Sequence, residues 1–446
     1  MLLRTNMHQY QERVIQQSKR LPHLGLFLEP GLGKTVTALT IIKENCSGRT
    51  LVVAPKRVAE SVWAQECKKW EHLKDMRVVK IMGSQKERHA ALHTFNADLY
   101  IINVENTAWL VDNWVNGLFE NLIIDESSRF KDPSTKRFKA LKKVIPQFKR
   151  RIIATGTPTP QGYGDLWAQV GILDQGQRLE TSLTRFRDKY MYAAEKNRHT
   201  NVVYKWALRQ GMEQEIRNRI SDICFSLRAE DYLTLPKLTN LYHEIELEPE
   251  LMSKYKELKK EMVSEINGEQ VTAVTAAALA NKLLQFTSGT LYTEDGGCVL
   301  AHSAKIEFLE SLVEENSHPT LVFYHYKSAL EKIREAFPYA EILTDDNIER
   351  WRDGKIKMLL AHPQSGGIGL NLQCNAGELA QCVWYDLPWS SENYIQANAR
   401  VYRQGQTKPV IIHHLVAKKT IDAQVVKVLD GKISLQDALM DSLKLD

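Results

Sequence analysis

The chain has 446 residues, 43% of them hydrophobic and 25% charged, and its 59 basic and 54 acidic side chains give a net charge of +5. These proportions are ordinary for a globular protein and exclude collagen-like, low-complexity and strongly disordered chains. The length allows about three domains, or two with insertions, and the weak basic tilt permits nucleic-acid binding without demanding it.

Cysteine usage is sparse: Cys46, Cys67, Cys224, Cys298, Cys374 and Cys382 include no C-x-x-C pair. That leads to an expectation of a reducing compartment and no structural metal. No run approaches the ~18 apolar residues of a membrane span, and the opening MLLRTNMHQYQERV is too polar for a signal peptide.

In chain order, Leu24-Gly25-Leu26-Phe27-Leu28 is a short apolar run suited to a buried parallel strand. The loop Gly31-Leu32-Gly33-Lys34-Thr35 follows, and Val36 to Lys43 then carries apolar residues at helical spacing. A strand, a glycine loop and a helix in that order make a phosphate cradle. Gly31 and Gly33 let the backbone wrap an anion, the helix N-terminus faces it, Lys34 adds a point charge, and the Thr35 hydroxyl can ligate Mg²⁺. The first glycine of the strict pattern falls on Leu28.

Further strands are predicted at Thr50–Ala54, Asp98–Ile102, Asn121–Ile124 and Arg151–Ala154. Asp125-Glu126 emerges at the end of the third of these, at the carboxyl edge of a parallel sheet where ligands bind. Asp125 can hold Mg²⁺ while Glu126 polarises an attacking water. Thr155-Gly156-Thr157-Pro158 ends the fourth strand; it either bonds the Asp125-Glu126 loop or is a plain hydroxyl turn.

Two basic stretches follow: residues 131–151 hold nine Lys or Arg against one acid, and residues 185–219 hold nine against four, interleaved with aromatics. A nucleic-acid track and a solvated helix face both fit them.

From 166 to 300 the pattern turns helical, with a break at Pro236. Strands resume at Thr320–Tyr324, Ile342-Leu343, Met358–Ala361, Gln381–Tyr385 and Val410–His413. The glycine-rich Ser365–Leu372 could approach a phosphate or a nucleic-acid backbone. Gln396–Gln406 is predicted to be helical, with Arg400 and Arg403 at i, i+3 on one face, either clamping phosphate or simply solvated. Amphipathic helices are expected from Ile421 to Leu445.

Taken in order, these segments resemble the superfamily-two helicases, and within them the Swi/Snf-type translocases. His8-Gln9-Tyr10-Gln11 is similar to the family's adenine-reading glutamine motif, and LEPGLGKT to its phosphate loop, which also lacks the first glycine. Leu51–Pro55 is similar to the strand-Pro motif beside the nucleic-acid track. Asp125-Glu126-Ser127-Ser128 departs from the commoner DEAH or DEAD ending. ATGTPTPQGYGDLW, RAEDYLTLPK, LVFYHYK, SGGIGLNL, Pro388-Trp389 and QANARVYRQGQ complete the series.

The resemblance implies two RecA-like parallel-sheet lobes with helical insertions between them: lobe 1 over 1–165, protrusions and linker over 166–300, and lobe 2 over 301–446. It implies a DNA-dependent ATPase that uses ATP and Mg²⁺, with Lys34, Asp125, Glu126, Arg400 and Arg403 catalytic. Gln11, Gly31, Gly33, Lys34, Thr35 and Gly369 would contact nucleotide. Pro55, Lys56, Thr155, Thr157, His325 and Trp389 would face nucleic acid.

The partner implied is double-stranded DNA, either by itself or alongside a separate nuclease or a replication or recombination protein. The setting would be the cytoplasm of a bacterial or phage-infected cell rather than a nucleus. A strand-separating helicase acting on forked DNA or RNA, and a nucleotide-gated scaffold that recruits a nuclease, are the alternatives. The stretch from Lys327 to His362 is short for the family, as in a minimal phage or bacterial version.

Overall fold

The computed structural model describes residues 1–160, 162–196, 203–266, 273–293, 297–315, 318–366 and 370–431. The chain divides into two compact units, Met1–Leu233 and Thr234–Asp446.

The first unit is built on strands β1 (His23–Leu28), β2 (Thr50–Ala54), β3 (Val78–Ile81), β4 (Leu99–Asn103), β5 (Asn121–Asp125) and β6 (Arg150–Ala154). Strands β7 (Met191–Lys196), β8 (Val203–Leu208) and β9 (Cys224–Leu227) complete it. Seven of these form one sheet in the order β3-β4-β2-β5-β6-β1-β9, parallel at every pairing. Its central strands are continuous apolar runs because helices cover both faces; Leu51, Val52, Ile123 and Ile124 are fully buried.

The helices of this unit are α1 (Gln9–Ser18), α2 (Lys34–Asn45), α3 (Trp63–Lys69), α4 (Gln85–Leu92), α5 (Thr107–Asp112) and α6 (Lys136–Val144). They continue with α7 (Gly164–Asp174), α8 (Leu183–Tyr190) and α9 (Met212–Ile220). Helix α2 is buried at seven consecutive positions, Val36 to Ile42, as an element with no solvent face should be. β7 and β8 form a separate antiparallel hairpin, and the Arg187 guanidinium lies 5.0 Å from the centre of the Trp206 ring beside it.

The second unit carries β10 (Leu238–Ile245), β11 (Thr290–Tyr292), β12 (Cys298–Leu300), β13 (Thr320–Phe323), β14 (Glu341–Ile342), β15 (Met358–Ala361), β16 (Ala380–Trp384) and β17 (Val410–Ala417). Six of them make a second parallel sheet in the order β10-β17-β16-β13-β15-β14. Its helices are α10 (Pro249–Ile266), α11 (Ala273–Ser288), α12 (Ala304–Glu314), α13 (Lys327–Ala336), α14 (Ile348–Arg352), α15 (Pro363–Gly366), α16 (Ser391–Val401) and α17 (Ile421–Leu429). A buried Lys305–Asp422 ion pair of 2.7 Å joins α12 to α17. Thr287 of α11 donates to the second oxygen of Asp422 at 2.7 Å. Satisfying every lone pair is what makes such a buried pair tolerable.

The fold class expected from the sequence, two parallel α/β sheets, is the one observed. The middle segment is less helical than its composition suggests. β9 extends the first sheet beside β1, and β10 extends the second beside β17. Single edge strands are hard to see in sequence because half of each is exposed: β10 mixes Tyr242, His243 and Glu244 among its apolar residues. The helices expected beyond residue 431 lie outside the described residues.

Candidate nucleotide site

Strand register assembles the first half of the site. Leu26 of β1 lies opposite Ala154 of β6, and Ala154 lies opposite Asp125 of β5. The ends of β5 and β6 are therefore level, β1 runs two residues further to Leu28, and the loops that leave all three strands meet at the carboxyl edge of the sheet.

The phosphate loop turns through two left-handed glycines, Gly31 (φ 92°) and Gly33 (φ 69°), a region that side chains other than glycine's rarely adopt. Gly33 is also the N-cap of α2, so that helix aims its free N–H groups at the loop. A Cβ on Gly33 would stand 2.4 Å from Gln11 Nε2. The Lys34 ammonium donates to the carbonyl of Leu28 at 2.7 Å. The residue that stands where the strict pattern wants glycine is thus the fully buried end of β1, and its backbone oxygen holds the lysine.

Asp125 is buried at the tip of β5 and accepts a 2.9 Å hydrogen bond from the indole nitrogen of Trp63 on Oδ2. Burial, then the neighbouring Glu126 charge, push its carboxyl up to about 6; Lys34 and the Trp63 bond pull the other way. Glu126 sits in the left-handed region at φ 58°, a strained conformation for a non-glycine residue. Its Oε1 accepts from Thr155 Oγ1 at 2.5 Å and from Ser128 Oγ at 3.1 Å. Both readings of the 155–158 turn are present: Thr155 Oγ1 bonds the acidic loop and also accepts from the Thr157 N–H at 3.1 Å, a hydroxyl turn.

Gln169 on α7, a residue that sequence reasoning passed over, braces both loops. It accepts from Ser127 Oγ at 2.8 Å and donates to the Pro158 carbonyl at 2.7 Å. Gly156 packs so closely that an added Cβ would lie 2.8 Å from Pro30 and 3.4 Å from Lys34 Nζ.

Gln11 is buried beside the loop. It accepts from the His8 N–H at 2.8 Å and directs Nε2 at the Leu32 and Gly33 carbonyls, at 3.4 and 3.5 Å. Next to it, the Tyr10 ring stacks with His8 (5.2 Å between centres) and tilts against Tyr232 (4.9 Å). These rings border a concavity of about 300 Å³ shared with Gln9, Arg13 and Asp231. Tyr10 and Tyr232 fall within stretches quoted for the family resemblance, HQYQ and RAEDYLTLPK, but sequence reasoning gave neither ring a role.

Among the other expected residues, Pro55 is buried at the end of β2, and Lys56 is exposed, 4.0 Å from Glu60. Thr157 Oγ1 is buried without a hydrogen-bond partner among the described residues.

In the second unit, His325 is exposed, stacks on His362 at 5.3 Å and donates its backbone N–H to Asp386 at 2.9 Å. Trp389 packs on the core of that unit. Arg400 lies on α16, whereas Arg403 does not. The helix ends at Val401, and Tyr402 is extended at φ −99°, ψ 92°. The expected shared helical face is therefore corrected. The Arg400 carbonyl accepts from the Leu372 N–H at 3.0 Å, and the Arg403 carbonyl from Gln373 Nε2 at 3.0 Å. Those bonds to the 370–373 loop capture carbonyls near the helix end and fold the chain away from the helix axis. Gly369 lies outside the described residues.

A lysine-bearing glycine loop and two carboxylates at one sheet edge define the class, an ATPase built on a parallel α/β sheet. Residues 11–288 match the SNF2-related domain, and residues 304–405 match the helicase conserved C-terminal domain. The chain belongs to the SNF2-related family of helicase-type ATPases. The enzyme class expected from the sequence, a DNA-dependent ATPase of helicase superfamily two, is the class of this family.

Protein p41 of Acyrthosiphon pisum secondary endosymbiont phage 1 is 34% identical over 98% of each chain. The SWI/SNF-related matrix-associated actin-dependent regulator of chromatin subfamily A-like protein 1 of Xenopus laevis is 26% identical over 91% of this chain and 41% of its own length. The ISWI chromatin-remodeling complex ATPase ISW1 of Saccharomyces cerevisiae is 24% identical over 92% of this chain and 38% of its own. The chain thus spans less than half the length of these two longer relatives. The Sulfolobus solfataricus SWI2/SNF2 ATPase core, solved in complex with double-stranded DNA, aligns over 98% of this chain and 94% of that one, with 22% identity and a TM-score of 0.45. Among the described residues, no helix is long and apolar enough to cross a membrane.

Proposed function

We propose that this chain hydrolyses ATP in order to move along double-stranded DNA. The observation that carries the reading is the convergence of Lys34, Asp125 and Glu126 at one sheet edge, with Thr155 bonded to Glu126. Gln11 and the Tyr10 platform would receive the base, and the α2 N-terminus with Lys34 the phosphates. Arg400 and Arg403 would complete the site from the second unit by pairing with phosphate oxygens as charge develops.

The donor set suits Mg²⁺. Asp125 is a carboxylate buried at the tip of β5, and Thr35 brings a hydroxyl at the start of α2. Magnesium bound with a nucleotide takes one or two protein ligands and completes its shell with phosphates and water. Among the described residues, no group of three or more His, Cys, Asp or Glu offers a full protein cage. When bound, the ion would neutralise phosphate oxygens, with Asp125 and Thr35 holding it. Glu126, oriented by two hydroxyls on Oε1, would keep Oε2 for the attacking water and take its proton.

Pro55, Lys56, Thr155 and Thr157 would line the DNA track of the first unit, and His325 and Trp389 that of the second. The unpartnered hydroxyl of Thr157 supports this, since a buried donor without a partner is costly unless a ligand supplies one. Duplex DNA engaging both units would favour the arrangement in which the arginines reach the nucleotide, so turnover would follow DNA binding.

The test is the ATPase rate with blunt duplex, single-stranded, forked and RNA ligands. Duplex is expected to stimulate it most, without displacing a strand from the fork. Equal rates with and without duplex would defeat the coupling, and efficient displacement would favour a strand-separating helicase.

A further inference from the structure

Trp63 is 1% exposed. A buried indole N–H needs an acceptor, and backbone carbonyls supply most such partners. Here the acceptor is the Asp125 carboxylate, 62 residues away in sequence and 2.9 Å away in space. By contrast, Trp70 on the same stretch of chain donates to Glu66, four residues earlier.

The approach to Trp63 is itself unusual. β2 neighbours β5 in the sheet, and the chain leaves β2 through Pro55 and Lys56 into a π-helical turn, Val58–Val62, with Trp63 opening α3 directly after it. A π turn holds one more residue than an α turn, and each residue rotates a helix by about 100°. The wide turn therefore sets which face of α3 looks toward the tip of β5.

We infer that Trp63 is a positioning residue for the metal-holding carboxylate. Its N–H occupies Oδ2, which fixes the Asp125 side-chain rotamer and leaves Oδ1 for the cation. The inference rests on reading Asp125 as the residue that holds Mg²⁺. Partners of ligand side chains commonly matter because they orient the ligand before the ion arrives, and a carboxylate held in one rotamer loses less freedom on binding.

The experiment measures Mn²⁺ binding in the presence of ADP by electron paramagnetic resonance, on the full chain. It compares wild type, Trp63→Phe, Trp70→Phe and Asp125→Asn. A further variant carries 3-benzothienylalanine at position 63, which keeps the bicyclic shape and lacks the N–H. Both position-63 variants are expected to bind Mn²⁺ about tenfold more weakly. They should also need correspondingly more Mg²⁺ for half-maximal ATPase, with kcat reduced and the KM for ATP at saturating Mg²⁺ little changed. Trp70→Phe should match wild type. If the benzothienyl variant melts like wild type and binds Mn²⁺ with unchanged affinity, the positioning role is overturned even where Trp63→Phe misfolds. If Asp125→Asn leaves Mn²⁺ binding intact, the reading of Asp125 fails instead, and the two failures are distinguishable.

Discussion

Glu126 shows how much a site depends on single atoms. Its backbone sits at φ 58°, and its Oε1 takes hydrogen bonds from two hydroxyls. Thr155 therefore acts through Glu126. The variant Thr155→Val removes one donor while preserving shape, and kcat is expected to fall about tenfold, a loss on the scale of one unmade hydrogen bond, with nucleotide affinity retained. Glu126→Gln should lose more, about 10²- to 10⁴-fold, as removal of a general base does. Steady-state ATPase assays and fluorescent-nucleotide binding on both variants check this. If Thr155→Val costs as much as Glu126→Gln, the hydroxyl touches the reaction directly. Lys34, Thr35, Asp125 and Glu126 were legible from residue type beside strand ends. Trp63 was not, because the partner that explains it is remote in sequence.

At the scale of elements, the loops around the site are locked to one another by side chains on the helices behind them. Gln169 is fully buried in α7 and joins the loop after β5 to the turn after β6. Gln169→Leu keeps the volume but strands the Ser127 hydroxyl and the Pro158 carbonyl. Unsatisfied buried groups of this kind cost about 1–3 kcal/mol each. The melting temperature should fall, and ATPase should fall further than stability alone explains; unchanged kcat would mean the loops hold their geometry without the brace. The helical period was a sound guide for α2, where Val36, Ala38, Leu39, Ile41 and Ile42 fall at helical spacing and are all buried. It misled at Arg403, because hydrogen bonds to the 370–373 loop end α16 at Val401, and no local signal announces a partner 30 residues upstream.

At the scale of the whole molecule, the two units differ in what they bury. The second holds His302, His413 and His414 at 6%, 4% and 0% exposure. Burial pushes each of them down to about 4, helped by Lys332 and Lys305 at His302 and by neighbouring histidines at His413 and His414. His414 also faces Asp430, which works in the opposite direction, and lies 2.7 Å from the Tyr394 hydroxyl. These imidazoles stay neutral in the fold and take up protons on unfolding below about pH 6.5. The stability they support is complete above that pH and drains away as pH falls toward 4. Thermal melts should therefore show a loss of stability between pH 7 and 5, and His413→Gln should flatten that slope. In the first unit His23, beside Arg151, is depressed to about 4 for the same reason, so some acid sensitivity will persist in the variant.

The amino-acid sequence alone determined that this is an α/β protein of two parallel sheets, with a lysine-bearing glycine loop after one strand and an acidic pair after another. Those features are written in short-range patterns: apolar runs of strand length, glycines where a loop wraps an anion, and carboxylates immediately after a strand. Only the tertiary structure decided which neighbours make those residues work. Trp63 on Asp125, Thr155 on Glu126 and Gln169 between two loops depend on strand register. So do the places of β9 and β10 at the sheet edges. Register follows from packing the whole sheet at once, and contacts across tens or hundreds of residues leave no local trace in a single chain.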